Sequence, residues 1–194
     1  MIELVFATNN ENKVKEIKAA VGKGFNIISL QDAGIDINIP EPHNNLTDNA
    51  AEKSKTIYNL TKKNCFGEDT GLEVTALNGD PGVLSARYAG KHENSEANIK
   101  KLLQKLKGKA YRNARFRTVI SLIYNGKSYL FEGICEGTIT HLQKGNSGFG
   151  YDPVFTPTGS NKTFAEMDMN EKNKYSHRKK AMQQLIHFLT EEPI

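Results

Sequence analysis

The sequence predicts an α/β protein: a mixed central β-sheet with flanking helices, forming a single domain over residues 1–194 with two lobes and a cleft between them. Three observations carry this. The chain opens strand, helix, strand, the order that gives parallel neighbours. Later, two long β-branched and aromatic runs, "ARFRTVISLIY" and "KSYLFEGICEGTI", flank Asn125-Gly126, the signature of a type I′ hairpin and so of antiparallel neighbours. Between and after them lie segments with helical periodicity.

In order, "IELVFA" (2–7) is a nearly continuous apolar run, as expected of a strand covered on both faces. Val14, Ile17 and Val21 recur at helical spacing until Gly22 and Gly24 end the pattern. "FNIISL" (25–30) reads as the next strand, and the Pro-bracketed loop "IPEPHNN" leads to a helix near 47–63. "CFGEDTGLEV" (65–74) reads as strand residues around an acidic turn, and "LNGDPG" as a turn. From Ser95, the spacing of Ile99, Leu102, Leu103 and Leu106 predicts an amphipathic helix closed by Gly108. After the hairpin comes a glycine-rich loop, "KGNSGFGYDPVF". A final helix is expected from Ser176 to about Thr190, with Met182, Leu185, Ile186 and Leu189 on one face.

A chain of 194 residues can bury a sizeable core without disulfides. Cys65 and Cys135 sit in apolar, strand-like settings without CxxC spacing and read as buried free thiols. The net charge of +4 suits a phosphate-bearing ligand but is too small and too dispersed for duplex nucleic acid. There is no basic segment followed by a long apolar run, and no stretch reaches the ~18 apolar residues of a membrane span, so a cytoplasmic protein is expected.

Four segments carry chemistry. In "ATNNENK", Thr8, Asn9 and Asn10 can cap the first helix, whose N-terminal N–H groups attract anions; Lys13 lies one turn in. This is either an ordinary cap with a solvated lysine or a phosphate site. In "GEDTGLEV", Glu68 and Asp69 are adjacent acids that repel unless a cation relieves them, a reasonable Mg²⁺ motif to which Asp48 could add. Asp48 is also favourable in a first helical turn with no metal, by ~0.3–1 kcal/mol. "GNSGFGYDPVF" has G-x-x-G-x-G rather than dinucleotide-binding spacing; its glycines let backbone approach a flat ligand, with Phe149 or Tyr151 to stack and Asp152 to accept. In "SHRKKA", His177, Arg178, Lys179 and Lys180 fill a first helical turn against the macrodipole, which marks either a functional site or a solvated basic face. His43, His92, His141 and His187 have no zinc spacing and no nucleophile partner, which leaves anion donors, carboxylates for Mg²⁺ and an aromatic loop. That set suits a nucleoside triphosphate.

With "LTDNAAEK" (46–53) and "GDPGVLSARYAG" (79–90), these motifs make the chain resemble the inosine triphosphate pyrophosphatase family over nearly its whole length. The resemblance implies Mg²⁺-dependent hydrolysis of ITP, dITP and XTP to the monophosphate and pyrophosphate, by a cytoplasmic homodimer whose cleft between lobes is the active site. It assigns phosphate binding to Thr8, Asn10 and Lys13, with Asn9 and Asn12 standing where the family usually has glycine. Asp69 becomes metal ligand and base, with Asp48 or Glu68 also on the metal; Asp48 stands where the family commonly has Glu. Thr70 contacts substrate, and Phe149, Gly150, Tyr151 and Asp152 form the base pocket. Lys172 faces the phosphates, and His177 and Arg178 read the purine. Two rivals are a Maf-like pyrophosphatase for other modified nucleotides, whose S-x-S-P-R-R-type opening is absent here, and a nucleotide- or RNA-binding module without catalysis, which would have no use for the carboxylates.

Overall fold

The structure is a computed structural model that describes residues 1–90 and 94–191; His92 lies outside the described residues. The strands are β1 (Ile2–Phe6), β2 (Phe25–Ser29), β3 (Cys65–Val74), β4 (Pro81–Gly82), β5 (Asn113–Tyr124), β6 (Lys127–Ile139) and β7 (Phe155–Pro157). The α-helices are α1 (Glu11–Ala20), α2 (Leu46–Thr61), α3 (Ser95–Lys105), α4 (Met169–Lys172) and α5 (His177–Glu191). Strand order is β2-β1-β3-β5-β6-β7, with β4 paired to β3. β1 is parallel to β2 and β3, whereas β3–β4 and β6–β7 are antiparallel, so the sheet is mixed as expected. Asn125 and Gly126 have φ of 49° and 77°, the two positive values a type I′ turn requires. Among the described residues no helix is long and apolar enough to cross a membrane.

The chain divides into two compact units. The first comprises Met1–Asp69, Thr118–Gly133 and the segment from Arg178 onward. Here β1 sends Leu4 and Phe6 to one face, where they pack with Phe66, Ile120 and Leu122, with Ile17 of α1, and with Met182 and Leu185 of α5. Val5 and Ala7 alternate to the other face, against Cys65, Ile123 and Ile57 of α2. Both faces of β1 are therefore covered, which is why its sequence is apolar at consecutive positions. The Phe6 and Phe66 rings stack at 4.4 Å. Each such fully buried side chain stabilises the fold by about 1.5–3 kcal/mol relative to an exposed one.

The second unit comprises Thr70–Arg117 and Ile134–His177. Its core joins Leu72 and Val74 of β3, Phe116 of β5, Ile139 of β6 and Phe155 of β7 to Ile99 and Leu102 of α3. The buried Arg112 guanidinium donates to the carbonyls of Leu106, Ile139 and Thr140 at 2.8–3.0 Å, so its buried charge is hydrogen-bonded to backbone.

The segment 65–74 differs from expectation. Instead of strand residues around an acidic turn, β3 runs unbroken through Glu68 and Asp69. Gly67 explains how: a Cβ there would lie 2.4 Å from the Ala50 carbonyl oxygen and 2.7 Å from Lys53 Cβ. The glycine is present because α2 packs directly on the strand, not because the chain turns. Both cysteines are free and buried.

Candidate active site

The opening turn is built by hydrogen bonds. The Asn10 side-chain oxygen accepts from the N–H groups of Asn12 and Lys13 at 3.0 and 3.1 Å and is the N-cap of α1. Thr8 Oγ1 accepts from Asn10 N–H at 3.2 Å, and the Asn9 amide donates to the Ile37 carbonyl at 2.8 Å. Neither Asn9 nor Asn12 takes a positive φ, so this turn makes no conformational demand for glycine.

Successive residues of a strand point to opposite faces, and β3 applies this to Glu68 and Asp69. Glu68, toward the α1 and α5 side, is 1% exposed and grips the Arg178 guanidinium, with Nε and Nη2 at 3.3 and 3.1 Å. Arg178 Nη1 also donates to Glu16, which is buried on α1, and Lys13 Nζ lies 3.7 Å from Glu68. Burial alone would lower the Arg178 pKa; the charges of Glu68 and Glu16 outweigh it and hold the guanidinium above its ordinary value.

Asp69 faces α2. Asn49 Nδ2 donates to Oδ2 at 3.2 Å, and Lys53 Nζ stands 3.3 Å from Oδ1. The same ammonium donates to Glu41 and to the Glu68 carbonyl. Asn49 and Lys53 are four apart on a helix and so share a face. Burial raises the Asp69 pKa despite the nearby Lys53 and Lys13 charges. For Lys53 the balance is reversed: burial lowers its pKa, but Asp69 and Glu41 hold it above the ordinary value. The two partners thus shift in the same direction. For Asp69 desolvation wins; for Lys53, which faces more than one carboxylate, attraction wins.

Asp48 is exposed in the first turn of α2, its carboxylate accepting from the Asn45 side chain at 2.7 Å. Asp48, Glu68 and Asp69 are not gathered into one ligand set: among the described residues no three His, Cys, Asp or Glu side chains are arranged to hold a metal.

In the second unit, Thr70 is half-buried on β3. Asp152 Oδ2 accepts from Lys172 Nζ at 2.6 Å and from Phe149 N–H at 2.9 Å, so one carboxylate oxygen ties the aromatic loop to α4. Gly148, at φ 78°, lies so close that a Cβ would be 2.0 Å from that oxygen. Lys172 Nζ sits 5.4 Å from the Phe149 ring and 5.1 Å from that of Phe164. Phe149 and Gly150 are half-buried, whereas Tyr151 is buried and donates to the Ser85 carbonyl at 2.9 Å, which makes it an anchor. His177 is buried with its ring stacked on Phe116 at 4.6 Å. Neighbours in sequence, His177 and Arg178 belong to different units.

A sequence model of the Ham1 family matches residues 4–188. The chain belongs to the Ham1 family. A dITP/XTP pyrophosphatase of Flavobacterium johnsoniae is 47% identical, covering 97% of this chain and 98% of that protein. Another dITP/XTP pyrophosphatase, from Christiangramia forsetii, is 48% identical over 97% of this chain and its own full length. The Staphylococcus aureus Ham1 protein superposes with a TM-score of 0.88 at 37% identity, covering 98% of this chain and all of that one. The family resemblance and the mixed, helix-flanked sheet expected from the sequence both stand. Within this Ham1 chain, sequence reasoning passed over Glu16, Glu41, Asn49 and Lys53. The i, i+4 spacing of Asn49 and Lys53 in "LTDNAAEK" was the available signal.

Proposed function

We propose that the protein hydrolyses non-standard purine nucleoside triphosphates, dITP and XTP with ITP beside them, to the monophosphate and pyrophosphate, clearing them from the nucleotide pool. The observation that carries this reading is Asp69, a carboxylate 5% exposed, held by Asn49 and Lys53, with burial raising its pKa. Such a carboxylate takes a proton more readily than a solvated one, which suits a base acting on the attacking water. The substrates are those in the names of the Flavobacterium and Christiangramia relatives.

The donor set fits Mg²⁺. Asp69 and Glu41 are hard oxygen donors that share a single lysine ammonium, and Mg²⁺ binds through one or two carboxylates plus substrate phosphates. These two would hold it; Asp48 and Glu68 are the further carboxylates expected from the sequence. Bound there, Mg²⁺ would offset charge on the triphosphate.

Lys13 takes phosphate oxygens at the positive end of α1, in the turn that Thr8 and Asn10 shape. The Asn10 oxygen serves the cap, so its contact with substrate falls to the amide nitrogen. Lys172 offsets charge building on the departing pyrophosphate. Phe149 offers its ring to the base, on a loop fixed by Gly150, Tyr151 and Asp152, and Thr70 contacts the substrate. The family resemblance assigns His177 and Arg178 to reading a 6-oxo purine, and Nε, Nη1 and Nη2 of Arg178 already donate to Glu68 and Glu16. Adenine presents an amino donor at that position, and a buried donor left unpaired costs ~1–3 kcal/mol. The chain acts as one domain of two lobes, in the cytoplasm, as a homodimer; the family resemblance supports all three, and the order of elements and the lack of a long apolar run support the first two.

The test is parallel incubation with Mg²⁺ and dITP, XTP, ITP, GTP or ATP. Conversion of the first three with the last two almost untouched is expected; equal use of all five would contradict the reading.

A further inference from the structure

Glu16 has no role in the proposed reaction, yet it is a buried carboxylate, 5% exposed. Its carboxylate meets Arg178 Nη1, while Nε and Nη2 of the same guanidinium hold both oxygens of Glu68. Glu68 Oε2, one of those two oxygens, is also the atom 3.7 Å from Lys13 Nζ. Side-chain exposures are 15% at Lys13, 0% at Glu68, 3% at Arg178 and 5% at Glu16, so a half-buried lysine leads to three buried partners. Two carboxylates and two cations make it neutral. On α1, Glu16 and Lys13 are three residues apart, so one helix supplies both ends of the row.

We propose that Glu16 is a positioning residue for Lys13, acting through Arg178 and Glu68. By taking Nη1, Glu16 balances the guanidinium from the side opposite Glu68. Without that charge the full field of Arg178 falls on Glu68, drawing its carboxylate away from Lys13 and leaving the lysine amine without its fixed aim. Residues that act as a unit give non-additive effects, whereas independent structural lesions add. The inference rests on the reading that Lys13 takes phosphate, and the two can fail separately.

The test is a double-mutant cycle of Glu16→Gln and Lys13→Ala, read as KM and kcat for ITP with Mg²⁺. Calorimetric binding of inorganic tripolyphosphate provides a readout that needs no turnover. Glu16→Gln should raise KM and weaken tripolyphosphate binding at least tenfold in the wild-type background, and by less than twofold once Lys13 is alanine. Glu16→Asp, which keeps the charge and withdraws it by one methylene, guards against misfolding; it should show a smaller loss that likewise vanishes with Lys13→Ala. Equal losses in both backgrounds, or none in either, would overturn the proposal. Turnover of ITP by the wild type without tripolyphosphate binding would overturn the role of Lys13, and the proposal with it. Binding that follows the cycle in a protein inactive on ITP would sustain the Glu16 link while refuting the substrate assignment.

Discussion

Glu68 and Asp69 are adjacent in the chain, yet β3 turns their carboxylates to opposite faces: Glu68 to Arg178 and Lys13, Asp69 to Asn49 and Lys53. Adjacent acids that read as one motif thus meet different partners: Glu68 is held by Arg178 with Lys13 nearby, and burial raises the Asp69 pKa.

Asp69→Asn keeps the Asn49 and Lys53 surroundings filled but removes the carboxylate proposed as the base. Turnover of ITP should fall by about 10²–10⁴-fold or more, with the thermal midpoint close to wild type because burial already disfavours the aspartate charge. Steady-state kinetics and a thermal melt on the same preparation check both parts.

Glu68→Gln should instead destabilise the fold. It takes away the carboxylate that two Arg178 nitrogens share in a site only 0–3% exposed, and breaking a buried pair from one side costs about 3–5 kcal/mol. Urea unfolding of this variant beside Asp69→Asn should show a clear drop for the first and little for the second.

Gly67→Ala puts a methyl 2.4 Å from the Ala50 carbonyl oxygen and 2.7 Å from Lys53 Cβ. Overpacking of this kind costs about 1–3 kcal/mol, and α2 must move to relieve it, carrying Lys53 off Asp69. Loss of activity should therefore accompany the loss of stability, although residue 67 is packed under α2. Retained wild-type kinetics in a destabilised Gly67→Ala would contradict this coupling.

Burial pushes the Cys65 thiol up to about 12. The thiolate is the reactive form, and its fraction falls as pH drops below the pKa, so at pH 8 it is on the order of one part in ten thousand. Alkylation followed by peptide mapping should leave Cys65 unmodified in the native protein and modify it readily in denaturant.

What the sequence makes legible follows from the range of the interaction. The hairpin shows because Asn125-Gly126 is a local requirement for two positive φ values, and β1 shows because a strand covered on both faces must be apolar throughout. The course of β3 does not show. Glycines around two acids have the composition of a turn, and only the approach of α2 to Gly67 reveals why a glycine belongs in an extended strand. The site divides in the same way. Its motifs stand out in one dimension, but Glu16 meets Arg178 across 162 residues, and Lys53 serves Asp69 only because a helix lies on a particular strand. The Glu16 pairing leaves no mark in local sequence, and the Lys53 pairing leaves only the i, i+4 spacing of Asn49 and Lys53.

The most direct test of the central claim is hydrolysis of dITP by the Mg²⁺-loaded protein in H₂¹⁸O, with the products separated and weighed by mass spectrometry. Attack on the α-phosphoryl group predicts deoxyinosine monophosphate carrying one ¹⁸O and unlabelled pyrophosphate. Label in the pyrophosphate, or diphosphate and free phosphate as products, would contradict the account.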